Sequence, residues 1–173
     1  PAEDVATDHP ACREALESTR RRISHLLNRE GNTPVDSFHR ELGSVMIDRC
    51  GISRHADGLR QGLEQVKALE QRFEAEVRVP GEASGPNTEL EKALRVKDFF
   101  GLAQLMLRDA LAREESCGAH FREEHQSDEG EARRDDVNFA HIAAWEHNTN
   151  GEPIRHSEPL QFTALQPSTR SYK

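Results

Sequence analysis

Leu59, Leu63, Val66, Leu69, Phe73 and Val77 recur at intervals of four, three, three, four and four residues. Such a series falls on one side of a helix, whereas a strand would scatter it over both faces. Arg60, Gln61, Glu64, Lys67, Gln71 and Glu74 fill the opposite side. The spacing therefore predicts an amphipathic helix from about Ala56 to Val77 with one dry stripe. A stripe of that length cannot be buried by its own helix, so the surrounding chain must supply partners for it.

The flanking segments supply helices. Asp8-His9-Pro10 predicts a helix start with Asp8 as cap and Pro10 in the first turn. Ala15, Leu16, Ile23, Leu26 and Leu27 then recur at helical spacing as far as Gly31, and Asn32-Thr33-Pro34 breaks the chain. A second helix is expected from about Asp36 to Cys50, with Phe38, Leu42, Val45 and Met46 on one face and Gly51 as its C-terminal cap. Gly43 inside it costs about 1 kcal/mol relative to alanine, which predicts close packing there. After a loop through Val79-Pro80-Gly81 and Pro86, Asn87 or Thr88 can cap a fourth helix running to about Glu115. Its apolar set of Leu90, Leu94, Phe99, Leu102, Leu105, Met106 and Leu111 is broad, which marks it as the central helix.

From Arg113 to Glu124 ionisable groups crowd around Gly118, and residues 123–136 are strongly charged. Beyond them, Val137 to Glu146 and Ile154 to Leu165 alternate like strands around an Asn150-Gly151 turn signal. The expected fold is mainly α: an antiparallel bundle of about four helices followed by a C-terminal hairpin or extended segment. Residues 1–116 form the helical bundle in this reading, 117–136 a charged hinge loop and 137–173 the hairpin and tail. An isolated hairpin is marginal in water, so this one has to lean on the helices or on another body.

Composition excludes several classes. The formal charge of −8 argues against a nucleic-acid partner, which requires a basic face. Arg20-Arg21-Arg22 is the one basic run and is expected on a solvated helix face. No apolar run approaches the roughly 18 residues of a membrane span, and no signal peptide is visible. The chain begins at Pro1 rather than Met, which suggests a piece of a longer polypeptide. Three widely spaced cysteines, Cys12, Cys50 and Cys117, match no zinc or redox spacing and suit a reducing cytosol.

The chemistry-bearing residues do not assemble into a catalytic pattern. His120 and His125 are five apart, unlike the pair four apart that zinc peptidases place on one helix face. Cys117 near His120 lacks any readable sign of an activated nucleophile. Glu114-Glu115, Glu123-Glu124 and Asp135-Asp136 are expected mainly to pair with Arg113, Arg122, Arg133 and Arg134. There is no GxGxxG, P-loop or GxSxG motif. No catalytic, cofactor-binding or metal-binding residue is assigned.

Glu-Ser-Cys-Gly-Ala-His-Phe-Arg-Glu-Glu at 115–124 followed by Arg-Asp-Asp-Val-Asn-Phe at 134–139 resembles the C-terminal region of the succinate dehydrogenase and fumarate reductase flavoprotein subunits. Ser37-Phe38-His39-Arg40-Glu41-Leu42-Gly43, Asn87-Thr88-Glu89-Leu90, the stretch from Ala110 to Ser116 and the tail from Pro167 to Lys173 are similar to the same family. Residues 1–30 and 78–86 match least. Many relatives carry arginine where this chain has Cys117, and cysteine there marks one branch.

The resemblance implies a non-catalytic helical domain that braces the FAD-binding and capping domains of an FAD-dependent enzyme interconverting succinate and fumarate. The family's flavin-linked and substrate-binding residues lie upstream of the matched region, so none maps here. Candidate interdomain contacts are Glu115, His120, Arg122, Arg134, Asp135 and Asp136. The implied partners are the subunit's own FAD and capping domains and an iron–sulfur subunit, with a membrane anchor reached only indirectly and no nucleic acid. The implied location is cytoplasmic, peripheral to the inner face of the membrane. Two rivals are a free-standing helical interaction module and a small metal- or cysteine-dependent hydrolase; the first leaves the hinge motif unexplained and the spacings disfavour the second.

Overall fold

The computed structural model describes residues 7–149 and 151–168. Residues 1–6, the turn residue Asn150 and the family-like tail at 169–173 lie outside the described residues. The fold is mainly α, about 52% helical, with a small antiparallel strand pair near the C-terminus. In chain order come α1 (Pro10–Leu27), β1 (Thr33–Pro34), α2 (Val35–Cys50), β2 (Ser53–Arg54), α3 (Ala56–Glu76), β3 (Val77–Arg78), α4 (Thr88–Ala112), β4 (Phe121–Arg122), α5 (Asp136–Phe139), β5 (His141–Glu146) and β6 (Ile154–Pro159). The chain divides into two compact units, one of residues 1–42 and 68–100, the other of 43–67 and 101–173.

In the first unit the α3 stripe meets aromatic partners. Phe73 packs edge-on to Phe38 at 5.3 Å and to Phe100 at 5.5 Å between ring centroids, and all three are fully buried. Edge-to-face geometry sets the positive ring edge against the negative face of its neighbour. β1 pairs in parallel with β3, Thr33 opposite Val77, which brings the start of α2 beside the end of α3. A Cβ on Gly31 would lie 2.1 Å from the Glu76 carbonyl, so this crossing admits glycine alone. Arg29 ties the end of α1 down, donating to the Phe73 carbonyl (3.0 Å) and to Glu74 (2.5 Å), which Lys97 also holds.

In the second unit Leu59, Leu63, Val66, Ala103, Leu107 and Ala110 form the apolar core. Here helix approach is closest at Gly62, where an added Cβ would stand 2.8 Å from Leu107 and 2.9 Å from Arg49. The expected close approach at Gly43 is absent: nothing lies within 4 Å of that position. Gly43 faces open space, and Gly62 is the packing glycine.

Several helix details differ from expectation. His9 caps α1, its Nδ1 accepting from the Ala11 N–H, in place of Asp8. Pro10 fixes the first helical residue, so the cap falls on the residue just before it. The first half of α1 is exposed all round, Leu16 included, and Leu26 is its buried residue. Gly51 takes no left-handed conformation; it is small because a Cβ would meet the Ile47 carbonyl at 2.7 Å. The buried stripe of α4 is Leu90, Ala93, Val96, Phe100, Ala103, Leu107 and Ala110, whereas Phe99, Leu102 and Met106 are exposed. Small alanines face inward because they let neighbouring backbones approach, which leaves the larger side chains on a second, uncovered stripe.

The hairpin also differs in its bounds. Asp135 starts the short α5 by accepting from the Asn138 N–H (3.1 Å), so β5 begins only at His141. β6 ends at Pro159, and the strands run antiparallel from His141↔Pro159 to Glu146↔Ile154. Residues 147–153 join them, longer than the two-residue turn that Asn150-Gly151 predicts. Proline, which cannot donate to a ladder, stands at both ends of β6, as Pro153 and Pro159.

Candidate functional site

After α4 the chain doubles back within the second unit. β4 runs parallel to β2, with Phe121 N–H donating to the Ile52 carbonyl (3.1 Å) and Glu123 N–H to the Arg54 carbonyl (2.9 Å). This short pairing carries Arg122 under the end of α4. Arg122 is 2% exposed, and its guanidinium donates to the carbonyls of Ala110 (3.0 Å), Leu111 (3.1 Å) and Arg113 (3.3 Å). Those carbonyls are what a helix C-terminus leaves unpaired, and a cation there also meets the negative end of the helix dipole.

Two residues on, Glu124 does the reverse at the start of α3. One carboxylate oxygen accepts from the Ala56 N–H at 2.5 Å and the other accepts from Arg122 Nε at 3.2 Å. Burial by itself would raise this carboxyl, but the Ala56 and own-backbone N–H groups and Arg122 outweigh it and hold it below the usual value. Arg122 and Glu124 thus clasp a helix C-terminus to a helix N-terminus with complementary charges.

The segment from Glu115 to Asp136, a strap across the helix ends, is anchored on its other side by Glu115, 2% exposed. It accepts from Arg113 (2.6 Å) and from the Asp135 N–H (2.9 Å), joining the end of α4 to the approach of α5. Ser116 sits fully buried, its Oγ donating to the Arg122 carbonyl and accepting from the Arg122 N–H. His120 faces the Arg113 carbonyl at 2.9 Å. Burial depresses its pKa; the bond to that carbonyl opposes the shift, while the charges of Arg54, Arg122 and Arg113 add to it. Hydrogen bonds from the Asn138 side chain and backbone hold Asp135 below the usual carboxylate range. Arg134 pairs with Asp136 at 2.5 Å and donates to the Ser168 carbonyl at 3.2 Å.

The six candidate contact residues are therefore drawn into one strap by local bonds: Glu115, His120 and Arg122 inside it, Arg134, Asp135 and Asp136 along its outer edge. Sequence reasoning missed Ser116 and the cap by Glu124. The one trace of the cap is the two-residue spacing of Arg122 and Glu124, which puts both on one side of a strand. It also missed the bond from Trp145 Nε1 to Asp109 (2.9 Å), which fastens β5 to α4. Among the described residues no group of three His, Cys, Asp or Glu side chains converges on a metal position, and no helix is long and apolar enough to cross a membrane. With His120 turned to a backbone carbonyl, the arrangement is a joint, built to hold helix ends.

Comparison with known proteins yields consistent relatives. The fumarate reductase flavoprotein subunit of a Serratia species is 32% identical over 167 residues, covering 94% of this chain and 27% of that protein. The same subunit from Escherichia coli is 32% identical, covering 87% of this chain and 24% of that protein. A solved structure of E. coli quinol fumarate reductase superimposes with a TM-score of 0.80 at 27% identity, covering 97% of this chain and 28% of the other. The chain spans about a quarter of the length of the relatives it matches. The family model described as fumarate reductase flavoprotein C-term matches residues 39–172, and the chain belongs to that family.

Proposed function

We propose that this chain works as the C-terminal helical domain of a flavoprotein subunit in an FAD-dependent succinate dehydrogenase or fumarate reductase. It braces the FAD-binding and capping domains and holds no reacting group of its own. The observation that carries this reading is the family match through residues 39–172, which takes in the whole clasp of Glu115, Arg122 and Glu124. The division into 1–116, 117–136 and 137–173 is then one of roles: bundle, strap and docking segment. Glu115, His120 and Arg122 shape the docking surface from within, while Arg134, Asp135 and Asp136 meet the neighbouring domain. An iron–sulfur subunit is the proposed electron partner, and any membrane anchor is reached through it on the cytoplasmic face.

The described residues do not fit FAD itself. A flavin pyrophosphate needs a glycine-rich turn and free N–H groups at a helix start. Here α1 opens on Pro10, which has no N–H, and its next three N–H groups are bonded to His9. The N-terminus of α3 is taken by the Glu124 carboxylate, α2 carries Asp36 in its first turn, α4 carries Glu89 and Glu91, and α5 is capped by Asp135. Acidic groups at these positions repel phosphate. FAD therefore belongs to the upstream part of the proposed parent.

The test is to purify the complete polypeptide and measure its bound flavin and its interconversion of succinate and fumarate with an artificial electron carrier. Stoichiometric flavin with turnover is expected for the complete protein, and no saturable flavin response for the 173-residue chain. A complete protein without flavin or turnover contradicts the proposal.

A further inference from the structure

The second unit holds an open groove of about 620 Å³ between the C-terminal half of α4 and β5. Its apolar wall includes Leu102, Met106 and Trp145, with Leu102 55% and Met106 49% exposed. Arg54, Arg113, His120 and Asp109 supply its charged end. Asp109 is engaged by Trp145, and Arg113 by the buried Glu115. Arg54 differs. Its hydrogen bonds run to Cys50 Sγ (3.8 Å) and the Ala119 carbonyl (3.3 Å), and its Nε is buried with no acceptor. Among the described residues no carboxylate forms an ion pair with it.

An arginine without a carboxylate partner beside an apolar wall attracts an anionic group, and that attraction strengthens as water is excluded. Large apolar side chains left half-exposed beside it mark a surface that is covered in the working protein. The unpaired Arg54 charge and the apolar wall share one groove and suit one occupant, a carboxylate flanked by apolar side chains. The same charge balance disfavours a basic occupant. The relatives are about four times as long as this chain, so the remainder of the polypeptide is available to supply the cover.

We infer that the groove bounded by Arg54, Leu102, Met106 and Trp145 is a docking socket for a segment of the upstream flavin-binding portion of the parent polypeptide, whose acidic side chain pairs with Arg54. This inference rests on the proposed function and adds the residue that sets the register of docking. Arg54 acts here as a positioning residue, since it reaches no reacting atom.

Cys117 lines the same groove and serves as a native reporter. In the complete subunit, Cys117 is alkylated with N-ethylmaleimide under native conditions and quantified by peptide mass spectrometry. A covered groove predicts labelling at least about tenfold slower than N-acetylcysteine, because the thiol reacts only through local opening. Arg54→Glu should raise that rate about tenfold, whereas Arg60→Glu, on the solvated face of α3, should leave it unchanged. Leu102→Gln provides a second route that does not disturb the core, and it too should raise the rate. Normal flavin and turnover with Cys117 labelled as fast as N-acetylcysteine, or no response to either groove variant, overturns the socket while leaving the proposed function standing. Absence of flavin and turnover overturns the proposed function itself, and the socket with it.

Discussion

Arg122 is the residue on which the strap depends. It satisfies three helix-end carbonyls and one carboxylate from a position almost without solvent, so removing it strands the Ala110 and Leu111 carbonyls, while the Arg113 carbonyl keeps His120 and Glu124 keeps the Ala56 N–H. Leaving a buried acceptor unsatisfied costs about 1–3 kcal/mol, so Arg122→Ala should lose at least about 2 kcal/mol in urea unfolding. A loss under about 1 kcal/mol would show that water replaces the guanidinium freely. Shifted titratable groups also make stability pH-dependent, His120 in the upper range and the carboxylates Glu74, Glu124 and Asp135 in acid. Burial depresses His120, so its contribution is complete above the unfolded value of 6.5 and is lost as pH falls through the lower folded value. For Glu74, burial is outweighed by Lys97 and Arg29, which leaves its pKa lowered as well. Its contribution is complete above 4.5 and is lost below that. Unfolding midpoints measured against pH should therefore fall in two stages on acidification. His120→Gln, which keeps a donor toward the Arg113 carbonyl, should remove the upper stage only; an unchanged profile would exclude His120 as its source.

Among the elements, α3 was the most legible from sequence, since all six residues of its apolar series are buried. Its period alone was enough, because a 3.6-residue repeat puts all six positions on one side of the helix whichever side chains they meet. The α4 helix was half legible. Its apolar set was recognised, but alanine carries no hydrophobic signal strong enough to show that Ala93, Ala103 and Ala110 face the core while Leu102 and Met106 do not. The glycines test this packing. Gly62→Ala drives a Cβ into Leu107 and Arg49, so overpacking of about 1–3 kcal/mol should exceed the gain in helix propensity and lower the Tm. Gly43→Ala meets nothing and should raise stability by about 0.4–1 kcal/mol. Equal shifts in both variants would mean that propensity alone decides. The clasp was not legible, because it depends on β4 returning to β2 across some 70 residues of chain. No local spacing encodes that return.

At the scale of the molecule, the charged strap has one set of partners inside the chain and a second set proposed outside it. Arg134 lies at the outer edge, so Arg134→Ala should change the stability of this chain by no more than the about 0–1 kcal/mol of a surface pair. In the complete subunit, where the strap is proposed to dock, the same change should cost several-fold more. Small, equal effects in both would leave the strap as an ordinary surface. The central claim, that this domain braces a flavin-binding body, is tested most directly by deleting it. The complete subunit and a version lacking these 173 residues would be compared for bound flavin and for the temperature at which flavin is released. The account predicts that deletion lowers both the flavin content and the release temperature. Retention of full flavin with an unchanged release temperature would contradict it.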